Sequence, residues 1–306
     1  MAKDKVKNEA VTESTEIDYA AKAKRNKPGS LPYIWRHIRQ NPLAMGSLVI
    51  IIALFILSFL SPYIMKYSFS KISMRDQYAL PNSEHLLGCD EVGRDILSRI
   101  LYGAKYTMSI GFASTAISAA IGIVLGAVAG YFGGWVDGLI MRFLDIFQSF
   151  PGILLAILIS TVLGPGFEKV ILALGVSGAP GYARMMRASI LTVRGSEYIE
   201  AAQSINCSTA RIIRKHIIPN AISPLIIQIA QGIAAAGLMA SALSFLGFGV
   251  QAPTPEWGSM LSSARNFIRD YPHMCIFPGI FIMITVLAYN LVGDAIRDAL
   301  DPRLRD

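Results

Sequence analysis

Five stretches of this chain run for 22 to 40 residues without a charged side chain, and nothing else in it limits the fold so tightly. They cover residues 40–65, 106–136, 146–167, 216–255 and 271–293. A helix needs about 20 apolar residues to cross a hydrocarbon core of about 30 Å, so each stretch is long enough to span a bilayer. A sixth, 170–183, has 14 uncharged residues and contains Gly175, Gly178, Pro180 and Gly181. Arg184 and Arg187 can extend it by snorkelling, which predicts a short, irregular span. Only 16% of the residues are charged and mean hydropathy is +0.47, against about 25% charged in soluble domains. A soluble globular protein is excluded. The expected fold class is all-α, integral to the membrane, with six transmembrane helices.

Lys and Arg set the orientation. With both termini in the cytoplasm, 19 basic residues fall on the cytoplasmic side and nine on the other. That bias favours a multi-pass protein of the cell membrane with cytoplasmic termini. The net charge of +7 is accounted for by these flanks, so no nucleic-acid partner is expected. Three cysteines, Cys89, Cys207 and Cys275, are too few and too scattered for a disulfide framework or a metal site. The resulting division is a cytoplasmic tail with a short interfacial helix (1–41), a first span (42–65) and an extracytoplasmic segment (66–104). The transmembrane body (105–297) carries a cytoplasmic loop at 187–221, and a cytoplasmic end follows (298–306).

Residues 1–30 mix both signs of charge with few large apolar side chains, the composition of a disordered tail. No apolar run with a cleavage pattern precedes residue 40, so no signal peptide is read there. Leu31, Ile34, Trp35 and Ile38 recur at i, i+3, i+4 and i+7, which predicts a short helix in the membrane interface; the alternative is the frayed start of the first span. In the extracytoplasmic segment, Asp90, Glu91, Arg94, Asp95 and Arg99 stand at helical spacing. A surface helix with local ion pairs is a plainer reading than a catalytic cluster. His85 has no His or Cys at ligand spacing, and Cys89 reads as a small, half-buried residue.

Two ladders of small residues follow. Ser114, Ser118, Gly122, Gly126 and Gly130 lie four apart, as do Gly232, Ala236, Ala240 and Ser244. That spacing keeps each set on one helix face, where lack of bulk lets another backbone come close. Static packing and sliding of helices both fit the pattern. Gly133 and Gly134 read as a turn after the second span. Between the fourth and fifth spans, Ser196 can cap a helix with Glu197 and Glu200 in its first turn. Ala201 and Ala202 give that helix a low profile. Asn206 can end it in the left-handed conformation. A second short helix, Thr209 to Ile218, is capped by Ser208 and stopped by Pro219 and Asn220. Two such helices suggest a docking element, and a plain amphipathic loop on the lipid surface is the alternative.

The string EAAQSINCSTARIIRKHIIPN, residues 200–220, resembles the EAA loop of ABC-importer permeases. Glu200, Ala201, Ala202, Ile213, Ile217 and Pro219 fit its pattern. Asn206 replaces the usual Gly and is the next most tolerant residue at positive φ. HLLGCDEVGRDILSRILYGA, AGYFGGWVDGLIMRFLDIFQSFP, FLGFGVQAPTPEWGSML and NLVGDAIRDALDPRLR resemble the C-type permease of dipeptide, oligopeptide and nickel importers. The similarity runs over about residues 31–303. It implies the six-span type I importer permease fold and pairing with a homologous B-type permease. It further implies two cytoplasmic ATPases that bind ATP and magnesium, and an extracytoplasmic solute-binding protein. In that reading Glu197 and the EAA-loop residues couple the permease to an ATPase.

The residues themselves fit a passive half. No G-x-x-x-x-G-K-[ST] loop and no H-E-x-x-H motif occurs, so no nucleotide, metal or other cofactor site is expected in the chain, nor any catalytic residue. An ion-gradient transporter would place acids or His within its spans, whereas Arg142, Asp145 and Asp294 stand at span ends. Peptides are the commonest substrates of such permeases. Nickel or metal chelates and opines are the alternatives, and no residue announces a substrate carboxylate or amine.

Overall fold

The computed structural model describes residues 31–300. The tail expected over 1–30 and the chain beyond Leu300 lie outside the described residues. Helix α1 (Leu31–Gln40) and helix α2 (Pro42–Ile64) meet at Asn41. The Asn41 side chain accepts hydrogen bonds from the amides of Leu43 and Ala44, and Pro42 occupies the first turn, where it costs no hydrogen bond. The amphipathic helix read over 31–38 therefore exists as a separate element rather than as the start of the first span. Ile34 and Ile38 pack against Ala44, Leu48, Ala295 and Ile296, while Trp35, Arg36 and Arg39 face outward.

Helix α3 (Ile96–Phe132) has 37 residues, about 55 Å at 1.5 Å per residue, and so extends beyond a bilayer core. It ends at Gly133 and Gly134, both at positive φ, which makes the sharp turn into α4 (Gly134–Gln148). Helix α5 (Gly152–Leu163) follows at 87° to α4. The stretch 146–167, expected to be one span, is thus broken. Pro151 cannot continue the helix, and it biases Phe150 toward extended backbone. The 12 residues of α5 reach only about 18 Å.

Helix α6 (Phe167–Arg194) corrects the expectation of a short, irregular span at 170–183. It runs unbroken for 28 residues with Pro180 inside it. Its glycines are contact points rather than breaks: Gly175 lies against Ile117, and a Cβ at Gly178 would stand 2.6 Å from Ser118 Oγ. From the other side, a Cβ at Gly122 would overlap Tyr182, and one at Gly126 would overlap the Ala183 carbonyl. At Gly130 it would lie 3.0 Å from Ile190 Cβ. Together with Ser114 and Ser118, these residues seat α3 on α6 backbone to backbone. The first ladder does what its spacing predicts.

The second combines close contacts with an open cleft. Helix α10 (Ser223–Phe245) approaches α3 closely at Gly237, where a Cβ on Gly111 would stand 3.4 Å from the Gly237 amide nitrogen. The ladder residues Gly232 and Ala236 border a cleft of about 240 Å³ shared with Thr115, Ser177, Tyr182 and Met239, and a Cβ at Gly232 would overlap the Tyr182 hydroxyl. Farther along, Ala240 is buried beside Ile110, Val170 and Leu174. Helix α11 (Trp257–Ala264) and helix α12 (His273–Leu300) complete the bundle. Helices α2, α3, α10 and α12 are each long and apolar enough to cross a membrane, and the bent pair α4–α5 makes a fifth if it is one span.

Candidate functional site

The segment between α6 and α10 contains the candidate coupling residues. Helix α7 (Glu197–Ser204) begins three residues after α6 ends. The Ser196 hydroxyl turns back to donate to the Val193 carbonyl, so it does not cap α7 as expected. Eight residues do not hold a helix in water; burial does. Ile199 and Ala202 are buried with Ala127 of α3, Met186 and Ile190 of α6, Ile212, Ile217 and Leu225. Full burial of a side chain the size of Ile199 contributes about 1.5–3 kcal/mol.

That packing sorts the predicted residues onto two faces. Ala202 and Ile217, read as parts of a docking surface, point inward and fasten the segment to the body. Ile213 is half-buried. The outward face consists of Glu197, Tyr198, Glu200, Ala201, Ser204 and Ile205, with Tyr198 and Ile205 exposed by 45% and 75%. Tyr198 and Ile205 were missed in the sequence. Their signal was the i, i+3, i+7 spacing of Tyr198, Ala201 and Ile205, which makes one apolar stripe beside Glu197 and Glu200.

Asn206 stands at φ 60°, the left-handed geometry expected of it, and the Cys207 amide donates to the Ala202 carbonyl at 3.1 Å. The following helix departs from expectation. Helix α8 (Thr209–Ile212) passes into a π-helical turn at Ile213–Ile217 and then into α9 (Ile218–Ala221). Ser208 makes no side-chain cap, and Pro219 does not stop the chain. A proline removes one backbone hydrogen bond and crowds the carbonyl four residues earlier, and the wider π turn accommodates it. Asn220 donates to the His216 carbonyl at 2.6 Å.

At the opposite end of α3, the charged cluster is a largely buried loop that closes on the first turn of α3, and not the expected surface helix. Asp90 accepts from the amides of Val92 and Arg94 and pairs with the Arg94 guanidinium at 2.6 Å. Arg94 also reaches Glu91, and Arg99 donates to the carbonyls of Phe69 and Pro253. Asp95 caps α3 through the Ser98 amide and hydroxyl while holding His85 Nδ1 at 2.9 Å. Cys89 is fully buried rather than half-buried. Burial, reinforced by the charge of Asp95, pushes its thiol up to about 12, so it is not a nucleophile at neutral pH. Every charge in this cluster has a partner, the arrangement of a structural clasp.

Glu256 carries no sequence signal beyond its place in the stretch FLGFGVQAPTPEWGSML, yet it is fully buried. Its carboxylate accepts from the amides of Gly258 and Ser259, both at 2.9 Å, and from Thr107 Oγ1 at 3.2 Å. It thereby caps α11 and ties it to α3. Burial holds its carboxyl above the usual range, and these donors oppose that rise.

Residues 122–306 match the family described as the binding-protein-dependent transport system inner membrane component, and residues 32–82 match the N-terminal transmembrane domain of oligopeptide transport permease C. The chain belongs to the binding-protein-dependent permeases. It is 40% identical over 271 residues to a dipeptide transport system permease of Alkalihalophilus pseudofirmus, with 89% of each chain covered. A glutathione transport system permease of Escherichia coli is 41% identical over 272 residues, covering 89% of this chain and 90% of its own. A di/tripeptide permease of Pseudomonas aeruginosa is 38% identical over 286 residues, covering 91% and 94%. Among solved structures, an inward-facing MetNI methionine ABC transporter chain aligns with 66% of this chain and 96% of its own. Its TM-score is 0.53 at 20% identity, which establishes likeness of fold. As an ABC permease subunit the protein is non-catalytic, and ATP hydrolysis is the work of partner ATPases.

Proposed function

We propose that this permease forms one half of the translocation pathway of an ATP-driven peptide importer and is coupled to an ATPase through the outward face of α7. The relatives named for dipeptides, di/tripeptides and glutathione support the substrate class. We count six crossings, α2, α3, the bent α4–α5 pair, α6, α10 and α12, with both termini in the cytoplasm. A homologous B-type permease supplies the other half, two ATPases dock from the cytoplasm, and a solute-binding protein delivers the peptide outside.

The two-faced packing of α7 carries the coupling reading. Its inner side is fixed to α6 and α3 by Ile199 and Ala202, while Tyr198, Ala201 and Ile205 remain uncovered. A push on α7 therefore reaches α6, and the glycine contacts of α3 with α6 oblige both helices to move together. That is rigid-body transmission between alternating-access states. In proteoliposomes containing the whole transporter, Ala201→Trp is expected to abolish the stimulation of ATP hydrolysis by loaded binding protein while the complex still co-purifies. Full stimulation in a complex carrying Ala201→Trp would refute the coupling role.

A further inference from the structure

Helix α2 is the least buried of the four long apolar helices, and a groove of about 640 Å³ runs between it and α3. Ile52, Phe55 and Ile56 line one wall, and Ser109, Phe112 and Ala116 the other. Toward the C-terminal end of α2 a second pocket, of about 300 Å³, is lined by Ser61, Met65, Lys66, Tyr67, Ser68 and Tyr102 among others. The two lie on one seam. On α3, Tyr102, Lys105, Ser109, Phe112 and Ala116 follow one another by three or four residues and share a face. On α2, Phe59 comes one turn after Phe55 and Ile56. Between the two levels the Lys105 ammonium sits 3.6 Å from the Tyr102 ring centre and 5.8 Å from that of Phe59. Lys66 and Lys71 lie 5.0 and 5.4 Å from the Tyr67 ring.

We infer that this seam binds an anionic phospholipid, one acyl chain in the apolar groove and the headgroup phosphate between Lys66 and Lys105. The inference rests on the membrane setting alone and stands apart from the coupling role of α7. The groove is apolar where hydrocarbon would lie, and the ammonium groups gather where α2 ends. No Asp or Glu lines the upper pocket. Lys71 lines a neighbouring pocket with Asp76 and Asp95, so the phosphate falls to Lys66 and Lys105. A helix of another protein laid on the seam would trap the Lys105 ammonium among the Tyr102 and Phe59 rings with no acid of the upper pocket to pair it, and a buried, unpaired ammonium is costly. A phosphate supplies the missing charge while the lysines stay at the water-facing level with their stems on the aromatic rings.

The test is native mass spectrometry of the delipidated transporter complex, titrated with phosphatidylglycerol and, separately, with phosphatidylcholine. The complex is expected to take up phosphatidylglycerol selectively. Lys66→Gln combined with Lys105→Gln should raise the concentration for half-occupancy about twenty-five-fold, at about fivefold per cation. Ala116→Phe fills the groove from an exposed position and should lower occupancy with the lysines intact. Equal uptake of the two lipids, or uptake indifferent to both variants, would overturn the proposal. So would a crosslink from Ser109→Cys to the second permease, because the seam would then be covered by protein.

Discussion

Gly126 and Gly46 are both helical glycines, and their surroundings give them opposite fates. A side chain at Gly126 would drive into the Ala183 carbonyl and the Met186 side chain, whereas a Cβ at Gly46 meets nothing within 4 Å. Gly126→Leu is expected to lower the apparent melting temperature of the purified complex or to prevent its assembly, since overpacking costs about 1–3 kcal/mol or more. Gly46→Ala should leave it unchanged or raise it, since Ala is favoured over Gly in a helix interior by up to about 1 kcal/mol. Glu256 offers a pH test. Its carboxyl, raised by burial, keeps a proton in the fold that an unfolded Glu, near 4.3, would release. Its contribution is therefore complete below about 4.3 and is lost as pH rises through the raised value. Glu256→Gln should flatten that part of the melting-temperature profile; an unchanged slope would contradict it. The sequence showed the four-residue ladder through Gly122, Gly126 and Gly130 because close helix packing demands small residues at helical spacing. It did not show Glu256 as buried, because Glu256 closes an uncharged run and reads as its flank. Nor did it show that Asp90 and Arg94 pair inside a loop that closes on Arg99 in the first turn of α3, since the same spacing serves a continuous helix equally well.

At the scale of the element, α7 separates two alanines that the sequence treats alike. Ala201 is exposed and Ala202 is buried beneath the helix. Ala201→Trp is expected to leave the segment folded and to block docking. Ala202→Trp should lift α7 off Ile190 and Met186, so protease sensitivity of the 195–221 segment should rise even without an ATPase present. Equal sensitivity of the two variants would contradict the two-faced arrangement. Asn206→Gly should preserve coupling, because φ 60° is free to Gly. The bend at Asn206 was legible from residue chemistry. The π turn before Pro219 was not: a proline four residues beyond a helical carbonyl reads as a stop, and only the wider turn lets the chain continue. The glycines and Pro180 of α6 misled in the same way. They mark breaks in isolation, but Gly175 and Gly178 are contact points with α3, and Gly181 faces Gln228 of α10.

For the whole molecule, the uncharged runs identified α2, α3, α10 and α12, because the bilayer's demand for length and apolarity is written directly in composition. The 87° bend between α4 and α5 escaped the count, since an uncharged run does not report its own direction. Topology is open to direct measurement. With Cys89, Cys207 and Cys275 replaced by Ala, single cysteines at Ser70 and Ser208, both exposed, should label from opposite sides of intact cells. Labelling of both from outside would contradict cytoplasmic termini. The coupling surface itself is tested by short-span crosslinking in the assembled transporter, again without the native cysteines. Ala201→Cys or Ile205→Cys should crosslink to an ATPase subunit bearing surface cysteines around its docking groove, with a yield that changes when ATP is bound. Ala202→Cys, facing Met186 and Ile190, should not. Crosslinking from Ala202→Cys with none from Ala201→Cys or Ile205→Cys would mean that the opposite face of α7 meets the ATPase.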